Sequence, residues 1–146
     1  MKVREVIDKC IELLTVDYTK EDLLNCFNVI EYTLALDYLP LYAIHQCNSN
    51  VVYFTEFEYA PLRIVMCNCK FKIHPTHIES NDTITDVQYS YTPNKKELYD
   101  ECSYNKEFLT CLTYGTVSEY LFQQGFYEEA AAWDKKYKKE IRKLYE

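Results

Sequence analysis

The stretch from Tyr114 to Tyr137, Tyr-Gly-Thr-Val-Ser-Glu-Tyr-Leu-Phe-Gln-Gln-Gly-Phe-Tyr-Glu-Glu-Ala-Ala-Ala-Trp-Asp-Lys-Lys-Tyr, reads as two helices meeting at one glycine. Phe108, Leu109, Leu112, Val117, Tyr120 and Leu121 recur near the 3.6-residue period, so a helix over about residues 106–124 carries an apolar face. Gly125 stands where a helix ends in a left-handed residue, a conformation glycine adopts without a Cβ penalty. A second helix, over about residues 126–145, opens with Glu128 and Glu129, runs through Ala130 to Ala132 and closes with Lys138, Lys139, Arg142 and Lys143. Both charge clusters match the helix macrodipole. Trp133, Tyr137, Ile141 and Leu144 fall at steps of four, four and three, which predicts a second apolar stripe and an antiparallel helical hairpin.

Working outward, Val3, Ile7, Cys10, Ile11 and Leu14 predict an amphipathic helix over about residues 2–15. Thr19 has the chemistry of an N-cap, with Asp22 at the position where a capping box places its acid, and a helix over about residues 20–38 must stop near Pro40. From about Asn50 the apolar period changes to two. Strands are predicted over about residues 50–57, 62–73, 76–79 and 84–91, with Asn81-Asp82 supplying turn chemistry before the last. Short loops favour an antiparallel meander inserted between helical elements. The expected fold class is therefore α+β, a mainly helical single domain over residues 1–146.

Composition narrows the function classes. Nearly half the chain is apolar and only two residues are glycine, which argues against disorder. No charged-then-apolar leader opens the sequence and no apolar run approaches the roughly 18 residues of a membrane span, so synthesis in a cytoplasm without a membrane partner is expected. Seven cysteines, an odd number scattered through apolar patterns, favour reduced thiols over disulfides. Fifteen tyrosines and seven phenylalanines suit a chain with large contact surfaces. Charge is unevenly spread: residues 134–146 hold six basic and three acidic groups, the remaining 133 residues ten and twenty. An acidic body repels a nucleic-acid backbone.

Candidate chemistry is sparse. Cys67-x-Cys69 followed by His74-x-x-His77 offers the ligand types of a tetrahedral zinc site. Cysteines two apart on a continuous strand lie nearly 7 Å apart, however, so small core cysteines and loop histidines are the plainer expectation, and no metal or cofactor is assigned. Cys47 beside His45 forms no recognisable nucleophile elbow, and Glu128-Glu129 at a helix start are dipole-favouring surface acids. Two glycines cannot build a phosphate-cradling loop. The expectation is a protein that is not an enzyme.

Asp17-Tyr18-Thr19-Lys20-Glu21-Asp22 opening a long helix, Tyr38-Leu39-Pro40-Leu41 ending it, and Tyr89-Ser90-Tyr91-Thr92-Pro93 closing the last strand resemble small virion proteins of tailed phages of low-GC Gram-positive bacteria. Gly115-x-x-Ser118-Glu119-Tyr120, then Gly125-x-x-Glu128-Glu129-Ala130-x-x-Trp133-Asp134-x-x-Tyr137, is similar to the closing helices of head-to-tail connector, or adaptor, proteins. The cysteine richness departs from that pattern. The resemblance implies a virion neck protein. It would form a homo-oligomeric ring, commonly twelve-fold, that docks beneath the portal protein, extends the DNA channel without sequence-specific binding and receives the next neck or tail-completion protein. It also gives Lys135, Lys136, Lys138, Lys139, Arg142 and Lys143 a role against an acidic portal surface, testable by truncation after Trp133; otherwise they are a solvated helix face. The alternative class is a small cytosolic regulator or a binding module stabilised by zinc on Cys67, Cys69, His74 and His77.

Overall fold

A computed structural model describes residues 1–145. The protein is α+β, with four α-helices and a four-stranded antiparallel sheet among the described residues. It divides into two compact units: residues 1–33 with those from Asn94 onward form a helical unit, and Leu34–Pro93 an inserted sheet unit.

The helical unit contains α1 (Val3–Leu13), most of α2 (Lys20–Asp37), α3 (Leu109–Gln123) and α4 (Tyr127–Leu144). Thr19 caps α2 as its chemistry predicts, its Oγ1 accepting from the Asp22 N–H at 3.1 Å. Gly125, at φ +88°, closes α3. The Phe126 N–H donates to the Leu121 carbonyl at 2.9 Å and the Gly125 N–H to that of Phe122 at 3.1 Å. This pair of bonds is the Schellman arrangement, which satisfies carbonyls the helix leaves orphaned and turns the chain into α4.

Helix α3 is not one-faced: Cys111, Leu112, Thr113, Gly115, Thr116, Val117, Ser118, Tyr120 and Leu121 are all buried. It is the central helix of its unit, so an apolar stripe understated its burial. Its polar groups are satisfied locally. Thr113 and Thr116 donate to carbonyls four residues back, and Ser118 Oγ donates to the Ala130 carbonyl of α4 at 2.9 Å. A Cβ on Gly115 would lie 2.8 Å from Ile30 of α2 and 2.8 Å from the ring of Tyr137 on α4. Gly115 is therefore a packing glycine that lets three helices converge. Tyr137 and Ile141 of the predicted α4 stripe are buried, whereas Trp133 and Leu144 are half-buried, with the Trp133 ring 5.3 Å from that of Tyr114.

Within this unit a buried ion pair ties α2 to the segment after Asn94. Glu31, 1% exposed, accepts from Lys96 Nζ at 2.7 Å and from the Ser103 N–H at 2.9 Å. Asn28 grips the same segment through the Lys96 backbone, accepting its N–H at 2.7 Å and donating to its carbonyl at 3.1 Å.

The sheet unit differs from its sequence reading in detail. Strand β1 is Leu41–Tyr53, beginning nine residues before the expected Asn50, because Leu41 to Gln46 pair regularly with β4 and Ser49 still pairs beyond a register shift. Residues 54–56 turn as a short 3₁₀ segment. The expected strand 62–73 divides into β2 (Pro61–Cys67) and β3 (Lys72–Ile73). Conversely, 76–79 and 84–91 fuse into the fifteen-residue β4 (His77–Tyr91). Asn81-Asp82 make no hairpin turn. They sit in an irregularity of β4 between the Val51–Glu79 and Ser49–Ile84 pairs, where the Asn50 amide donates to the carbonyls of Ser80, Asn81 and Asp82 at 3.1–3.3 Å. The order β1-β4-β2, with β3 also on β4, corrects the simple meander: the last strand is the centre of the sheet. One face buries Val52, Phe57, Ile78, Ile84, Val87 and Tyr89.

Candidate functional site

The four residues weighed as zinc ligands do not converge. Cys67 ends β2 opposite Val87 and, with Cys69, packs against the buried cluster; Cys69 Sγ lies 3.2 Å from Ser80 Oγ. Burial pushes the Cys67 thiol, and that of neighbouring Cys47, above the ordinary range. The histidines lie elsewhere on the unit. Ile78 points into the core, so strand alternation turns His77 and Glu79 to the opposite face. There His74 and His77 stack with ring centres 4.5 Å apart, and His74 Nε2 approaches Glu79 Oε1 at 2.7 Å.

Donor atoms of His74, His77 and Glu79 lie within 4.8 Å of one another, the one such group of three among the described residues. The hydrogen bond to His74, with that ring's charge, holds the Glu79 carboxyl below the usual range. The sequence sets the histidines near Cys67 and Cys69, whereas the fold sets them beside Glu79. Glu79, opposite Lys72 in the β3–β4 ladder, is found only once the hairpin register is known.

Among the basic residues of α4, Lys138 pairs with Asp134 at 3.3 Å and Lys143 with Glu140 at 3.0 Å. Such exposed pairs contribute little to stability. Lys136 Nζ sits 4.3 Å above the Trp133 ring. Lys135, Lys136 and Lys139 surround a shallow apolar depression over Ala131 and Ala132, a mixed surface suited to a partner with both acidic and apolar groups. Arg142 and Lys143 are exposed one turn further on. Truncation after Trp133 would remove the buried Tyr137 and Ile141, so charge reversal is the sounder probe of this face.

A second surface lies on the outer face of the sheet. Ile44 and Met66 both register on Gln88 from opposite sides, so across β1, β4 and β2 two apolar side chains flank a polar one. Each is 63% exposed, and Tyr42 beside them is 54% exposed. Exposed apolar side chains gathered on one sheet face make it a candidate contact surface. His45 and Cys47 make no nucleophile pair: the His45 ring packs 4.8 Å from that of Phe57, and the Cys47 thiol donates to the Ile84 carbonyl. Glu128 and Glu129 sit in the first turn of α4 as expected. No family model and no curated protein matches the chain.

Proposed function

We propose that the protein is a head-to-tail connector of a tailed phage, one subunit of a homo-oligomeric ring, commonly twelve-fold, that docks beneath the portal in the virion neck. The exposed apolar side chains Tyr42, Ile44 and Met66, on one face of the sheet around Gln88, carry the reading. A ring closes through heterologous contacts, in which one patch meets a different patch on the next copy, and this sheet face supplies one side.

The motif behind the resemblance supports it differently. Gly115, Ser118, Ala130 and Tyr137 pack helices together and Gly125 turns the chain between them, which suits a protein whose work is shape. In this reading the Lys135, Lys136 and Lys139 face of α4 meets acidic groups of the portal ring. An acidic body, ten basic against twenty acidic groups before residue 134, suits a lumen through which DNA slides without sticking.

The test is co-expression with the portal protein of the same phage. Wild-type chain should co-purify as a ring on the portal, and Ile44→Glu with Met66→Glu should give a folded monomer. Ring formation unchanged by that pair would remove the sheet face from the proposal, and no portal association in wild type would end it.

A further inference from the structure

The β3–β4 hairpin gathers metal-binding groups that the connector reading does not use. His74 and His77 flank the turn residues Pro75 and Thr76, and the His74 N–H donates to the His77 carbonyl at 2.8 Å. Below them the ladder continues as Ile73 with Ile78 and Lys72 with Glu79. Alternation therefore puts His74, His77 and Glu79 on one face of a tight hairpin. The rings are stacked, with 18° between their planes. Thr76 Oγ1 engages His77 Nδ1 at 2.9 Å, which leaves Nε2 of that ring for a ligand.

We propose that His74, His77 and Glu79 bind one borderline divalent cation, Zn²⁺ in the first place, with water completing the coordination. Two imidazoles and a carboxylate suit zinc and its neighbours rather than the harder Mg²⁺ or Ca²⁺, which prefer oxygen throughout. Bonds of about 2.0–2.2 Å at a tetrahedral angle place ligand atoms roughly 3.3 Å apart. The 2.7 Å His74–Glu79 contact needs to open by about 0.6 Å, and the widest separation, at most 4.8 Å, to close by about 1.5 Å. Side-chain rotation supplies both. The backbone is already set, because β4 pairs there on both sides: Tyr53 with His77 and Val51 with Glu79 from β1, Lys72 with Glu79 from β3. His74 Nε2 and Glu79 Oε1, which now face each other, would both turn to the cation. Lys72, across from Glu79, opposes the added charge and keeps the site weaker than a closed four-ligand one.

Untagged, metal-free chain titrated calorimetrically with Zn²⁺, and followed spectroscopically with Co²⁺, tests the assignment. One equivalent should bind, and the Co²⁺ form should lack a thiolate charge-transfer band. His74→Ala and His77→Ala should each weaken binding by more than about 100-fold, and Thr76→Val, which frees the outer nitrogen of His77, by about tenfold. Cys67→Ser with Cys69→Ser should bind like wild type. The proposal is overturned if wild type binds no Zn²⁺ at millimolar concentration, if the histidine variants bind undiminished, or if the cysteine double variant loses the ion. Both histidines are partly exposed, so these variants should keep the far-UV spectrum of wild type. None of these outcomes depends on ring formation.

Discussion

Replacing Lys96 with Met strips the buried Glu31 carboxylate of its counter-charge. Glu31 is 1% exposed and cannot turn to water, so its carboxyl group would be left in the interior with only the Ser103 N–H and hydroxyl as donors. Removing one partner of a buried pair costs about 3–5 kcal/mol, and those remaining donors place this case near 3 kcal/mol. Urea unfolding followed by the fluorescence of Trp133 reads the right unit, because the only tryptophan and the ion pair both belong to the helical unit. With a slope of about 1–3 kcal/mol per molar, the midpoint should fall by roughly 1–3 M. The double variant Glu31→Leu with Lys96→Met removes both charges and should recover much of the loss, because paired apolar replacements of buried ions are often neutral. A Lys96→Met midpoint equal to wild type, or a double variant as unstable as the sum of the singles, would refute the argument that burial makes the pair interdependent.

Gly115→Ala gains about 1 kcal/mol of helix propensity but forces a methyl to 2.8 Å from Ile30 and Tyr137, an overpacking worth about 1–3 kcal/mol. The melting temperature should drop or hold rather than rise, and a clear rise would show that the neighbours yield freely. Gly125→Ala meets nothing within 4 Å yet keeps a φ of +88°, so its cost is conformational, about 1–2 kcal/mol in a thermal melt. Burial pushes the thiols of Cys10, Cys26, Cys102 and Cys111 up to about 12, so Ellman's reagent near neutral pH should react first with Cys47, Cys67 and Cys69 and reach the other four on unfolding. The Glu79 carboxyl is held low, so its contribution to stability is present above the ordinary carboxylate range and is lost as pH falls through the lowered folded value. By carbon NMR its titration should move up toward the ordinary range in His74→Ala, since His74 is the largest cause of the shift.

The helices were legible in the sequence because their signals are local. Thr19 and Gly125 mark their termini with side chains and backbone freedom that need no distant partner. Gly115 could be read as part of a motif but not as a packing residue, since the side chains it makes room for are Ile30 and Tyr137, far away in sequence. The sheet was harder to read. Its central strand runs through Asn81-Asp82, a pair with turn chemistry, because the Asn50 amide of the neighbouring strand binds the carbonyls of this irregular stretch and the ladder resumes on either side of it. The same limit applied to the site. His74 and His77 were visible as metal-ligating types, but their third member is set by register, and the cysteines were turned to the core by alternation.

The central claim is that the chain assembles side by side into a ring on a portal. Mass measurement and cryo-electron microscopy of the co-expressed portal and wild-type chain test it most directly. The account predicts a closed ring of this chain against one end of the portal, with Tyr42, Ile44 and Met66 covered by the neighbouring copy. A monomer that leaves the portal bare at high concentration would contradict it.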